Sequence, residues 1–151
     1  MKRGVLVGVA GAVVVAAALA GCSSNKSNTS SSSSPSPGAH TVSVGGQNQN
    51  ITGQVSCTPS NGNINIGIGD PTNGVGAVVA DANPPVVHSV GLGQLNGITL
   101  GYADAAPSNG SNAQATKNGN SYKITGTATG VDMSNPAQPV TKPFEIDVTC
   151  P

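Results

Sequence analysis

Residues 144–150 read Phe144-Glu145-Ile146-Asp147-Val148-Thr149-Cys150, apolar and polar side chains in strict alternation. In an extended chain a period of two sends neighbouring side chains to opposite faces. Phe144, Ile146, Val148 and Cys150 then share one face, and Glu145, Asp147 and Thr149 the other. The same pattern recurs upstream, where Tyr122, Ile124, Gly126 and Ala128 oppose Lys123, Thr125, Thr127 and Thr129. Ile64, Ile66 and Ile68 alternate with Asn63, Asn65 and Gly67, and Ile51, Gly53, Val55 and Cys57 alternate with Thr52, Gln54, Ser56 and Thr58. Each of these segments reads as a half-buried strand.

Turn chemistry separates them. Pro59-Ser60-Asn61-Gly62 is a hairpin connection, and Asn96-Gly97 and Asn118-Gly119 are the residue pairs that favour type I′ hairpin turns. Asn83-Pro84-Pro85 breaks the chain, and Asn135-Pro136 with Pro139 and Pro143 marks residues 134–143 as a loop. Val75–Ala80 is a continuous apolar run that periodicity leaves open between a buried strand and one or two helical turns. His88 falls in phase with Val86, Val90 and Leu92. Many short strands punctuated by turns predict an all-β domain over residues 41–151. Its form is a small antiparallel sandwich or a partly open barrel, with one short helix at most.

The chain before that domain has a different composition. Lys2 and Arg3 precede an apolar run from Val5 to Leu19, followed by Ala20-Gly21-Cys22. This is the charged, apolar and small-residue order of an export signal over residues 1–21. The run is shorter than the roughly 20 residues of a membrane-spanning helix, so a span is the weaker reading. An ordinary secretory signal prefers a small side chain where Leu19 stands; Leu19-Ala20-Gly21-Cys22 resembles a bacterial lipobox instead. That resemblance implies cleavage before Cys22 and acylation of its sulfur. The alternative is a plain secretory signal with a coincidental cysteine. Two or three acyl chains suffice to hold a protein on a bilayer, each buried CH₂ contributing about 0.8 kcal/mol.

Residues 22–40 form a tether, with Ser30–Ser34 followed by Pro35-Ser36-Pro37-Gly38 and ending at His40. Such a composition buries too little apolar surface to offset its ordering entropy. As a coil it spans about 25 Å. Thr29, Ser30, Ser31, Ser32, Ser33 and Ser34 fit O-glycosylation and an unmodified spacer equally well.

Loss of Lys2 and Arg3 leaves four lysines against six carboxylates, a net charge of −2. With three aromatic residues in all, Tyr102, Tyr122 and Phe144, neither a basic patch nor a base-stacking platform is expected, which argues against nucleic acid as a partner. Acylation of Cys22 leaves Cys57 and Cys150 as an even pair in an exported chain, and both fall in phase with apolar faces. A disulfide between them would close a long loop worth roughly 4–5 kcal/mol in the chain-entropy account. The alternative is two free buried thiols.

Chemistry-bearing motifs are sparse. Gly67-Ile68-Gly69 and Gly91-Leu92-Gly93 do not extend into a dinucleotide or phosphate loop. His40 and His88 lack metal-ligand spacing. Asp81 and Asp104 stand in turn-like surroundings, and no Gly-x-Ser-x-Gly elbow supports a Ser–His–Asp triad. Asn50-Ile51-Thr52 and Asn109-Gly110-Ser111 match N-glycan sequons, a weak pattern in a bacterium. No cofactor, metal site or catalytic residue is expected.

Seven stretches resemble the mycobacterial LpqH lipoprotein antigen family: LAGCSSNK at 19–26, QNITG at 49–53, NPP at 83–85 with SVGLG at 89–93, NGITLGY at 96–102, YKITGTATGVDM at 122–133 and FEIDVTC at 144–150. Cys22, Cys57 and Cys150 are the positions that carry over. The resemblance implies a non-enzymatic, acylated and glycosylated antigen anchored at the cell envelope and exposed at the surface. It also implies recognition by host Toll-like receptors that sense acylated lipopeptides. A second reading makes the domain a carrier for a lipid or other apolar ligand, on the ground that small inner-face residues such as Gly126 and Ala128 leave room. Those same residues would equally let two sheets pack closely.

Overall fold

The structure, a computed structural model, describes residues 36–151. Ten strands follow one another: β1 (His40–Val44), β2 (Gln47–Asn48), β3 (Val55–Ser60), β4 (Asn63–Ile68), β5 (Val75–Ala80), β6 (Val86–Leu95), β7 (Ile98–Ala103), β8 (Asn112–Asn118), β9 (Ser121–Asp132) and β10 (Pro139–Thr149). Among the described residues there is no helix. Val75–Ala80 is a strand, with Val75, Ala77 and Val79 on the core. All pairings are antiparallel, in the order β2-β1-β10-β9-β7-β6-β5-β4-β3. The sheet curls into a half-barrel.

The curl is what buries the alternating face. Val42, Ile124 and Ile146 from one side meet Ile68, Val79 and Leu92 from the other, and each is almost wholly removed from water. Strand β9 is the hinge of this arrangement. One of its edges pairs with β10 over its length, while the other pairs first with β8, through Ser121–Thr127, and then with β7, through Thr129–Asp132. The sheet therefore forks at Ala128, where no side chain larger than alanine is present. A Cβ on Gly126 would lie 2.8 Å from Ala113 Cα and run into Asn112 O, and one on Gly130 would strike Thr99 O. The small inner-face residues of β9 thus admit close backbone approach rather than line a void.

Of the three hairpin turns expected from the sequence, all form, and one of the two expected to be type I′ has that form. Asn61-Gly62 and Asn96-Gly97 each place both residues at positive φ, the type I′ geometry whose twist matches the flanking strands. The third differs by one residue. Asn118 pairs with Ser121, so the turn is Gly119-Asn120, and Gly119 alone is left-handed at φ 59°, a type II′ arrangement. This register sets Ala113 opposite Gly126, where the tight approach needs both side chains small.

Four proline and histidine positions depart from the sequence expectation. Pro139 and Pro143 belong to β10, not to a loop, because β1 ends its pairing at Phe144 and, among the described residues, no strand pairs with that edge of the earlier part of β10. Proline, lacking an N–H, is tolerated on such an edge. Pro59 likewise lies in the edge strand β3 rather than in the turn, and that strand starts at Val55, so Ile51 and Gly53 precede the ladder. Strand β6 shifts register beside His88, Val78 pairing with Ser89 and Val79 with Val87. Val87 and Val90 are both buried as a result, while Val86 is 49% exposed and His88 leaves the core phase. A second shift lies between Gly91 and Gln94, with Gly93 at φ 69°. An extra residue in one strand of a pair bends it and strengthens its twist, so β6 contributes two bends to the curl.

Candidate functional site

The described chain enters the domain beside its own C-terminal strand. Gly38 N donates to Thr149 O at 2.8 Å, Thr149 N to Ala39 O at 2.8 Å, and Ala39 N to Ser36 O at 2.9 Å, closing a turn ahead of β1. His40, placed by composition at the end of the tether, is the first residue of β1. Its two ring nitrogens face Gly38 O at 3.1 Å and Ile51 O at 2.9 Å, linking the entry turn to the segment that follows β2.

The residue just after β10 joins this end to the far edge of the sheet. Cys150 is disulfide-bonded to Cys57 in β3, their Cα atoms 5.7 Å apart and 93 residues apart in sequence. Only the curl makes that contact, because β10 and β3 are separated in the sheet by β9, β7, β6, β5 and β4. Cys150 N donates to Asn120 O at 2.9 Å, so the β8–β9 turn is tied to the same end. Cys22, Thr29, Ser30, Ser31, Ser32, Ser33 and Ser34 lie outside the described residues.

On the outer face of this end, β1, β10, β9 and β8 stand side by side. Register fixes which side chains share that face: Thr41, Asp147, Lys123 and Thr116 form one row, and Ala39, Thr149, Ser121 and Asn118 the next. They line a trough of about 310 Å³ open to solvent. The row between them, His40, Val148, Tyr122 and Lys117, projects to the opposite face, with Val148 and Tyr122 buried in the core. Lys123 lies 2.8 Å from Glu145 Oε1 and 3.2 Å from Asp147 Oδ2. Its hydrogen bond to Glu145 raises the ammonium's pKa above the ordinary lysine value and holds the Glu145 carboxyl below its own. Ser121 and Thr149 hydroxyls meet at 2.9 Å.

Elsewhere the polar side chains pair rather than assemble. His88 Nδ1 is 2.6 Å from Asp104 Oδ2, an exposed contact in which the histidine hydrogen bond lowers the Asp104 pKa. Among the described residues no serine or threonine hydroxyl is hydrogen-bonded to either member of the pair. Asp81 takes a 2.6 Å bond from Lys117, whose ammonium also sits 5.4 Å from the Tyr122 ring centroid. The sequence signals for these partnerships were absent: 16 residues separate His88 from Asp104, and 36 separate Asp81 from Lys117. Among the described residues no three His, Cys, Asp or Glu side chains are grouped to hold a metal. Nor, among them, is any helix long and apolar enough to cross a membrane.

Comparison with known proteins accounts for nearly the whole chain. The family described as Mycobacterium 19 kDa lipoprotein antigen matches residues 33–150. Lipoprotein LpqH of Mycobacterium tuberculosis is 58% identical over 160 aligned positions, covering 99% of each chain. The protein of the same name in Mycobacterium avium is 54% identical at the same coverage, and a putative lipoprotein of Mycobacteroides abscessus is 33% identical. The chain belongs to the Mycobacterium 19 kDa lipoprotein antigen family.

Proposed function

We propose that the mature protein begins at Cys22, carries acyl chains on that residue, and displays its β domain on the extracytoplasmic face of the cell membrane through the tether 22–40. One observation carries this reading. The fold consumes two of the three cysteines in a disulfide, and the third stands in Leu19-Ala20-Gly21-Cys22, directly after a charged and apolar leader. The paired cysteines suit an exported chain, since disulfides persist in oxidising compartments. Thr29 and Ser30–Ser34 are the proposed sites of O-linked sugar, and surface exposure follows from the tether.

The host-facing role is recognition of the acylated N-terminus by a Toll-like receptor that senses lipopeptides; the β domain has no catalytic part in it. Intact mass of the native protein should show a chain starting at Cys22 with two or three acyl groups. Cys22→Ser should abolish both that mass increment and receptor stimulation by the purified protein. A native protein with a free Cys22 thiol, or undiminished stimulation by the variant, defeats the proposal. Carriage of an apolar ligand inside the domain draws no support from Gly126, which is crowded by Asn112 and Ala113, or from Ala128, which is fully buried.

A further inference from the structure

Among the described residues three prolines lie within strands, Pro59 in β3 and Pro139 and Pro143 in β10. In an antiparallel ladder the N–H and C=O of one residue point to the same neighbour, and successive residues alternate between the two sides. Gly45 N donates to Pro143 O at 2.8 Å and Thr149 N to Ala39 O at 2.8 Å, which turns Pro139, Thr141 and Pro143 toward the β1 side of β10. Val140 and Lys142 then face β9, opposite Gly130 and Ala128. In β3, Gly69 N donates to Gln54 O at 3.0 Å, so Ser56, Thr58 and Ser60 face β4, and Val55, Cys57 and Pro59 face away from it. All three prolines therefore stand in the outward phase of an edge.

The other edges are closed by different means. Outside β1, Val44 pairs with Gln47 and Gln49 N donates to Val42 O at 2.8 Å. In the middle of β8, Ala115 is buried. The edges of β3 and of the first half of β10 are open by comparison: Pro59 and its neighbours Thr58 and Ser60 are exposed, as are Pro139, Thr141 and Pro143. Charged side chains are a common way to blunt an open edge, yet β3 has none and Lys142 is the single charge between residues 139 and 143. Net charge offers no general repulsion between copies either, since six basic residues balance six acidic ones.

A strand from another molecule adds to an edge by exchanging N–H and C=O at every second residue. Proline has no N–H to give, and its ring methylene occupies the place of the missing hydrogen. Along β10 this leaves Thr141 as the one donor among three outward positions. An incoming carbonyl brought opposite a ring would be buried without a partner, which costs more than the forgone bond is worth. Valine and threonine in both segments otherwise favour strand pairing. We propose that Pro59, Pro139 and Pro143 bar strand addition at the two open edges, and that the occupant they exclude is a second copy of this chain. Identical, uncharged edges meet at any encounter between copies, and the rings are what stops them from joining into one sheet.

Sedimentation of the full chain in a density-matched non-ionic detergent, with micelles in excess, tests this. The unaltered chain should run as a monomer. Pro139→Thr with Pro143→Thr should tighten self-association at least tenfold, as expected when a donor is regained and a facing carbonyl is no longer stranded. Adding Thr141→Pro, which puts a ring back at another outward position, should undo that gain. A variant that associated through misfolding would not be rescued by a further proline, so this arm separates edge pairing from loss of fold. If circular dichroism shows the double variant unfolded, Pro59→Thr takes its place and should itself associate. Three results overturn the proposal: folded variants as monomeric as the unaltered chain, association that persists with Thr141→Pro, or an unaltered chain that already associates to the same degree.

Discussion

Replacing both Cys57 and Cys150 by alanine tests what holds the curled sheet closed. The bridge spans 93 residues. Constraining a loop of that length in the unfolded chain removes about 15–16 cal/mol/K of entropy, or roughly 4–5 kcal/mol at 25 °C. The alanine pair removes little else, because Cys57 is half-buried, Cys150 lies at the sheet's end, and alanine leaves no polar atom in the core. Against a typical domain stability of 5–15 kcal/mol, this is a large share. With a urea slope of about 1–3 kcal/mol/M, the midpoint should fall by about 1.5–5 M. The slope itself should rise, since an unbridged unfolded chain exposes more surface. Urea melts followed by circular dichroism and tyrosine fluorescence provide the measurement, and reduced wild-type protein should coincide with the double variant. A midpoint shift below about 0.5 M, with an unchanged slope, would mean that core burial alone keeps β3 against the end of β10, and the account of the closure would be wrong.

Gly126→Val should destabilise the domain by about 1–3 kcal/mol, the usual range for overpacking, because the new side chain meets the backbone of Asn112 and Ala113; a neutral effect in thermal melts would show that β8 can retreat without cost. Asp104 supplies a pH signature. Its pKa is lowered by the hydrogen bond to His88, so the stabilisation is present above the unfolded-state aspartate pKa of about 3.9 and is lost as pH falls through the lower folded value. A carboxyl-carbon NMR titration should place Asp104 below ordinary aspartates, and His88→Ala should move it back upward; an unmoved midpoint would exclude the contact in solution.

Much of the fold was written in period two. The core faces of β4, β9 and β10 were readable residue by residue because each of those strands keeps its alternation unbroken through the segment that is buried. Cys57 and Cys150 stood in phase with such faces, which is why their pairing was open to reading before any coordinate. The prolines of β10 were misleading for a definite reason. A proline signals a loop when the residue needs its N–H, but whether it does depends on whether a neighbour lies on that edge, and β1 stops one residue short of Pro143. Strand edges are set by the whole sheet, and local sequence does not carry them. The reading of residues 1–40 rests on composition and charge order, and residues 1–35 of that stretch lie outside the described residues.

The phase of β6 shows where such reading ends. Val86, His88, Val90 and Leu92 alternate without a break, yet the strand inserts an extra residue beside His88 and another before Gln94. Each insertion changes which side chains face inward, and Val87 rather than Val86 becomes core. A straight β6 would keep the pattern and lose the curl, leaving β3 too far from β10 for Cys57 to reach Cys150. The bulged strand is compatible with the bridge, and the two ends of the sheet meet on the side where Gly38 and Ala39 are hydrogen-bonded to Thr149. What looks locally like a regular strand is bent by two inserted residues, and in the closed sheet the entry turn, the disulfide and the trough share a single end of the domain.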